Sequence, residues 1–487
     1  MALRARLVAP PPKPRELWPY HKLKSASVPA SLLFAGDRRM EAGTYLSSGF
    51  GIRASIESKA SGWVRLGTLA DFWCPPRIKQ IEVGPHHGVP YFNTSQVFGV
   101  MPTTRKWLAF ERTTGAARRL VEPGTILMMA SATPGRCTIA TEAHRGAFVS
   151  HHFMRVVPKD TTQAGWVYAF LRSVPGRAMT SGAQYASIIR HIEPHHAEAL
   201  PIPTVPDAIA NDFNNRVSQI LKLRNEGHRL TLEAAARYEQ AFGPLKVKDW
   251  GENGFEVKAS RVFLSGRRRF EAAVHNPGIA TIRRHLETRA KRFETIAELG
   301  LRVWLPGRFK RIAAADGVLL VESGALIEVN PSLEKRIAEV DFGDEYQGRV
   351  EPGWLLVARS GQVYGINGTA VIANKALSGH VISDDVLRVA PTAQCTIPMG
   401  YLWVALSHPV LGRALVKSLA YGSSIPHIDP EDFSSLPVVR LSDAEEREIS
   451  ALAEKGAGSF GEADVLERSL ADDAGSFIDR FIAGRRL

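Results

Sequence analysis

Two short stretches carry side chains suited to gripping an anionic partner. WCPPRIKQI at residues 73–81 sets Arg77 and Lys79 two positions apart, and WLPGRFKRI at 304–312 sets Arg308 and Lys310 at the same spacing. On a strand such residues share a face, so each stretch is expected to hold phosphates or, through its arginine, a guanine edge. A solvated edge strand would look the same. A second candidate is the loop Arg359, Ser360, Gly361, Gln362, whose side chains can address base edges and whose glycine permits close backbone approach, with an ordinary turn as the alternative. Arg267, Arg268 and Arg269, with Arg283 and Arg284 in the basic run that follows, form the densest phosphate-contact group, some of which would instead face a partner chain. Ser187 and Ser423, near expected helix starts, can donate to a phosphate or serve as caps.

The charge supports this emphasis. The 487 residues carry a formal +12, with +5 in residues 1–27, +8 in 258–293 and about −1 in all the rest. Basic patches of that kind meet phosphate. Catalytic signals are weak by comparison. The pairs His86-His87, His151-His152 and His195-His196 lack metal-ligand spacing, and Cys74, Cys137 and Cys395 form no CxxC, so neither a metal site nor a disulfide framework is expected. GAGSFG at 456–461 matches a nucleotide-loop pattern, but it follows a helix-like stretch and reads as a helix-to-helix loop. Glu256 and Lys258 after Asp249 echo a nuclease signature at too short a spacing. No methyltransferase motif, Walker loop or nucleophile elbow is present, so no catalytic residue and no cofactor are expected in this chain. No apolar run is long enough to span a bilayer and the start lacks an apolar signal stretch, so a cytoplasmic protein with no membrane partner is expected.

The elements that must position these residues occur twice. Gly36, Arg38, Arg39 and Glu41 are matched by Gly266, Arg268, Arg269 and Glu271, and Val121-Glu122-Pro123-Gly124 by Val350-Glu351-Pro352-Gly353. Arg155-Val156 answers Arg388-Val389, Gly176-Arg177-Ala178 answers Gly412-Arg413-Ala414, and Tyr185, Ser187, His191-Ile192 answer Tyr421, Ser423, His427-Ile428. The blocks are collinear and their offset drifts only from 229 to 236, which requires a tandem duplication of a domain-sized unit. Within each copy, TILMMAS and WLLVARS read as buried strands, and FVSHHFMRVV and HVISDDVLRVA as further strands. Helices are expected at WVYAFLRSV and within YLWVALSHPVLGRALVKSL. His191 and His427 read as structural hydrogen-bonders. Each copy ends in an amphipathic helix, at 207–242 and 442–482, the second expected to break at GAGSFG. Two such helices side by side would hold the globular parts well apart.

A globular unit and a long helix, then both again, resembles the specificity subunit of type I restriction-modification systems. The resemblance covers residues 28–482 and rests on Pro352-Gly353, Arg359-Ser360-Gly361 with Gly365, Gly422-Ser423 and Leu436-Pro437, and on Pro123-Gly124, Ala130-Ser131-Ala132 with Gly135, Ala186-Ser187 and Leu200-Pro201-Ile202-Pro203. It implies an α+β fold, with a basic extension at 1–27, target-recognition domains at 28–205 and 258–438, spacer helices at 206–243 and 439–487 pairing as an antiparallel coiled coil, and a linker at 244–257. It also implies a bipartite double-stranded DNA target and partner adenine methyltransferase chains carrying S-adenosylmethionine. An ATP-dependent restriction chain, bringing ATP and magnesium, is a further partner it leaves open. The alternatives are a self-sufficient nuclease with a divergent site and a duplicated protein-interaction scaffold.

Overall fold

The computed structural model describes residues 27–34, 40–184, 190–245, 254–264, 268–331, 335–339 and 349–485. The first half contributes β1 (Trp63–Arg65), β2 (Ala70–Trp73), β3 (Glu82–Val83), β4 (Val89–Phe92), β5 (Lys106–Leu108), β6 (Leu120–Val121), β7 (Ile126–Met129), β8 (Cys137–Ile139), β9 (Ala147–Val149), β10 (Phe153–Pro158) and β11 (Pro201–Pro203). The second contributes β12 (Arg292–Thr295), β13 (Leu301–Trp304), β14 (Ala313–Val321), β15 (Arg336–Ile337), β16 (Leu355–Ala358), β17 (Ala370–Ile372), β18 (Val381–Ile382), β19 (Val386–Pro391) and β20 (Pro437–Arg440).

The central sheets have the orders β2-β10-β7-β8 and β13-β19-β16-β17, and small two-stranded sheets join β1 to β11 and β12 to β20. The outer sheets differ in size, β3-β5-β4-β9-β6 against β15-β14-β18, yet β4 runs parallel to β9 as β14 runs parallel to β18. Register agrees as well. Trp73 faces Arg155, which faces Leu127 on its other side; Trp304 faces Arg388, which faces Leu356. Both arginines are buried, and a buried cation needs acceptors around it. Backbone carbonyls supply them: Phe153 (3.0 Å) and Val149 (3.3 Å) for Arg155, Ser383 (2.8 Å) and Ile382 (2.7 Å) for Arg388. Burial brings the Arg155 guanidinium down to about 10. The recurring Trp and Arg-Val of the sequence are thus two ends of one buried rung.

The two long helices are Asp207–Phe242, of 36 residues, and Asp443–Ile482, of 40. At 1.5 Å per residue they extend about 54 and 60 Å. The second starts on a capping box in which Ser442 and Glu445 satisfy each other's backbone donors. Ion pairs Arg216–Asp473 (2.9 Å), Arg224–Asp464 (3.3 Å) and Arg237–Glu448 (2.5 Å) show that they run in opposite directions along each other. The first core takes Phe213, Val217 and Ile220 from the start of one helix and Leu470, Ala474 and Phe477 from the end of the other. The second core takes Ala234, Tyr238 and Phe242 together with Ile449 and Ala453. Each half therefore closes its core on both helices, at opposite ends of the pair.

Two expectations are corrected here. The break at 456–461 is absent, and Asp443–Ile482 is one uninterrupted helix, so GAGSFG is no helix-to-helix loop. A Cβ on Gly461 would stand 2.6 Å from the Asn374 side chain, and one on Gly456 3.2 Å from the carbonyl oxygen of Gly227. These glycines admit close neighbours, and the packing gained outweighs a propensity cost of about 1 kcal/mol each.

Nor do the halves stand well apart. Over the middle of the helix pair the Val100 N–H donates to Ile327 (2.9 Å) and the Val329 N–H to Phe98 (2.7 Å), while Arg136 pairs with Glu328 (2.7 Å) and lies over the Phe98 ring (3.8 Å). Phe98 and Val329 are buried, so burial of apolar surface draws the halves together and backbone pairing completes the contact.

Beneath this seam lies a buried polar cluster. The Glu467 carboxylate receives hydrogen bonds from Arg224 of the first long helix, Tyr168 of the first half and Asn330 of the second, and pairs with Arg172 at 3.1 Å. The Asn330 N–H donates to Asp464 at 3.1 Å. Beside it His144 is held neutral: its Nδ1 accepts from the Thr141 N–H (3.1 Å), so Nε2 donates to the Val97 carbonyl (3.2 Å). Burial, partly offset by that bond to Val97, brings His144 down to about 4; burial brings His228 to about 4 as well, with the like charge of His144 adding.

Two outcomes follow from this cluster. Glu467→Ala leaves Arg172 without its buried carboxylate and Arg224 with Asp464 alone, and is expected to cost roughly 3–5 kcal/mol of unfolding free energy in a denaturant titration. The two histidines bind protons more weakly folded than unfolded, so their contribution is intact above pH 6.5 and drains as pH falls toward about 4. The loss at that pH is on the order of 3 kcal/mol for each. Thermal melts should show midpoints falling steadily across this window; a flat profile would rule out neutral burial.

Candidate nucleic-acid interface

In the first half, β2 ends at Trp73 because Pro75 and Pro76 cannot donate to a ladder. Residues 74–80 therefore run as a loop, and Arg77 and Lys79 are exposed on it, not on a strand as expected. Pro306 has the same effect on Arg308 and Lys310, which are exposed in the loop after β13. Arg119 pins the first loop, its Nη1 donating to the Pro76 carbonyl (2.8 Å) and its Nε to that of Thr114 (2.9 Å).

The result is an open cleft of about 610 Å³, rimmed by Arg77, Lys79, Arg119 and His151 and floored by Tyr91 and Phe148. Phe110, partly exposed, lies parallel to Phe148 with ring centroids 6.3 Å apart. Burial lowers His151 and His152, and the nearby charge of Arg77 lowers both further. Lowered in this way, the imidazoles favour the uncharged form at neutral pH. The cations at this rim can pair with phosphate.

At the strand-end loops the structure redistributes roles. Ser360 Oγ donates to Asp385 (2.7 Å), so the 2.6 Å contact with His427 must be donated by Nδ1–H of the imidazole. The serine sits between acid and histidine, whereas a nucleophile needs the histidine between serine and acid. Ser131 meets His152 Nδ1 at 2.6 Å in the first half. His427 also exchanges backbone hydrogen bonds with Tyr421 (2.8 and 2.9 Å), and His191 bridges to Ser131.

Arg359, expected to address bases, is turned inward. Its Nε donates to the Ile428 carbonyl (3.1 Å) and it pairs with Asp429 (3.4 Å). Arg269 is likewise spent on the Leu419 carbonyl (2.9 Å), that of Ala420, and Glu271 (3.2 Å). Buried carbonyls at helix ends need donors, and a guanidinium fork supplies several at once.

Other candidates remain outward. Gln362 is exposed while donating to the Ser424 carbonyl (2.8 Å); Ser423 and Arg268 are exposed, the latter with a left-handed φ of 46°. Arg283 and Arg284 occupy the solvent face of helix Pro277–Glu287, whose Ile282 and Leu286 enter the second core. Ser187 and Arg267 lie outside the described residues. Sequence reading missed Arg119, His151, Tyr364 and Ile425 as surface features. Tyr364 and Ile425 are 72% and 57% exposed, unusual for their types; Ile425 answers Ile189 in the repeat, whereas Tyr364 has no counterpart in the shorter first-half loop. Among the described residues no cluster of three or more acidic, histidine or cysteine side chains fits a metal, and no helix is long and apolar enough to cross a membrane.

No protein-family model matches the sequence, and no curated protein matches it. Among solved structures, the chain is similar to the type I restriction-modification S subunit from M. genitalium, at 13% identity over 87% of this chain and 96% of that one, with a TM-score of 0.33. It is similar to the HsdS subunit from Thermoanaerobacter tengcongensis, at 14% identity over 88% of this chain and 98% of that one, with a TM-score of 0.25.

Replacing Arg77 by Ala removes a like charge beside two imidazoles. Both His151 and His152 are therefore expected to titrate at higher pH in the variant, followed by NMR of the ring protons. Unchanged titration would place Arg77 away from them.

Proposed function

We propose that this chain is a non-catalytic reader of double-stranded DNA that recognises a bipartite sequence and positions partner enzymes on it. One observation carries the reading: the same strand frame, with the same Trp-Arg-Leu rung, stands at both ends of one antiparallel helix pair. A monomer holding two copies of one binding unit about a common spacer is matched to a ligand that repeats along its length, as duplex DNA does. The first copy adds a cation-rimmed, aromatic-floored cleft of about 610 Å³.

In this reading the halves are homologous target-recognition domains, 28–205 and 258–438, and the helices form an antiparallel coiled-coil spacer that fixes the gap between two half-sites. Phosphate contacts from Arg77, Lys79, Arg308 and Lys310 set the register, and loop side chains read base edges. Chemistry belongs to partners, read from the type I resemblance as adenine methyltransferase chains with S-adenosylmethionine, joined in a restricting complex by an ATP-dependent chain. They would dock along the outer faces of the helices. Leu232 and Val465 are 61% and 47% exposed there, and an open groove of about 430 Å³ borders Ser218, Lys222 and Glu226.

Selection from a randomised duplex library by the full-length chain should yield two short conserved blocks a constant distance apart. With the selected duplex, Arg77→Ala/Lys79→Ala should flatten the slope of log affinity against log salt by roughly 2, as two lost phosphate contacts require. With magnesium alone the chain should leave that duplex intact. A single ungapped motif would refute the two-reader reading, cleavage would favour a nuclease, and no affinity for DNA would favour a protein scaffold.

A further inference from the structure

The loop that joins β16 to β17 is clamped on both sides of Tyr364. Lys417 Nζ donates to the carbonyl of Val363, and Arg413 Nη2 to that of Gly365 (3.3 Å) and to Thr369 Oγ1 (2.7 Å). Gly361 holds a left-handed φ of 129° and its N–H donates to Pro426 (3.2 Å); Asn367, fully buried, ties the Arg359 and Pro426 carbonyls together at 2.8 and 2.9 Å. Between these anchors the Tyr364 ring stands 72% exposed, with Ile425, 57% exposed, on the adjoining turn. A loop so fixed loses little further freedom when it binds.

The surroundings indicate what the ring meets. Burial first, then the like charges of Arg413 and of Arg105 from the first half, brings Lys417 down to about 8; burial and then Arg105 also lower Arg413. The nearby acids are occupied: Asp429 by Arg359 (3.4 Å) and the Tyr421 hydroxyl (2.9 Å), Asp385 by Ser360 (2.7 Å), and Asp384 by Arg311 (2.6 Å). An exposed aromatic ring on a fixed loop, with the exposed Arg105 nearby across the seam, suits a polyanion with flat apolar faces. The first-half counterpart reads Ala132-Thr133-Pro134-Gly135, one residue shorter and without an aromatic.

Resting on the DNA-reading assignment, we propose that Tyr364 is a specificity-determining base contact of the second half, its ring packing against bases of one half-site, while Arg105 at the seam holds backbone phosphate. The tip differs between halves because the half-sites differ.

The test uses the full-length chain, the selected duplex and a scrambled duplex of equal length. Tyr364→Ala should weaken binding to the selected duplex by roughly 5- to 100-fold, the range of one lost base stack, and leave the scrambled duplex within about twofold. Tyr364→Phe should restore most of the affinity, since the ring and not the hydroxyl makes the contact. Arg105→Ala should weaken both duplexes alike. Repeating the selection with Tyr364→Ala should blur one block of the motif and leave the other sharp. Equal losses on both duplexes, or an unchanged motif, overturn the proposal while the reading stands; failure of the wild-type chain to select any motif removes both.

Discussion

A single buried carboxylate ties the molecule together. Glu467, on the second long helix, accepts from Arg224 of the first, from Tyr168 of one half and from Asn330 of the other. Taking that many polar groups out of water is expensive, and the cluster is tolerable because its members converge on one acceptor. Its value lies in uniqueness: a slide of either helix by a turn would leave a buried cation unmatched. Apolar packing alone, with Leu and Ala along both helices, would discriminate far less between registers.

That register governs everything at the surface. Each half closes its core on both helices, so fixing one helix against the other fixes one half against the other. The backbone bridge from Val100 to Ile327 and from Phe98 to Val329 adds a second point of attachment across the seam. Two attachments make a brace where one would make a hinge. Under the proposed reading this is the device that holds the half-site gap constant, and it does so with helices of only about 54 and 60 Å.

Much of the plan was legible because repetition can be read without knowing geometry. Trp73 and Trp304, and Arg155-Val156 and Arg388-Val389, mark equal places in sheets of equal order. Their meaning was not legible, since nothing in a sequence says that a tryptophan and an arginine some 80 residues on share a rung. The second helix was misjudged at Gly456 and Gly461 for a related reason: local propensity counts the missing side chain as a loss and cannot see Asn374 or Gly227 occupying its space. Arginine was the hardest residue to place. Arg77 and Arg308 face solvent, whereas Arg269 and Arg359 serve carbonyls inside, and composition treats them alike.

The same distinction separates scaffold from reader. Where the halves agree, their shared residues bear load: the Trp-Arg rung, and Gly165 and Gly400, where an added Cβ would stand 2.4 Å from the Asn214 nitrogen and 2.5 Å from the Ser450 oxygen. Where they disagree, the differences lie in the loops between the strands, with Thr133 and Tyr364 exposed. His151-His152 in one half stand opposite Asp384-Asp385 in the other, and Thr133-Pro134 opposite the loop that lifts Tyr364. A homodimer must present the same surface twice, because both copies are written by one sequence. A tandem chain is released from that constraint, and its two exposed tips can differ in charge and shape while the buried frame beneath them stays the same. The halves differ in these loops and in their outer sheets over a common central frame, which is what the proposed reading of an asymmetric duplex requires.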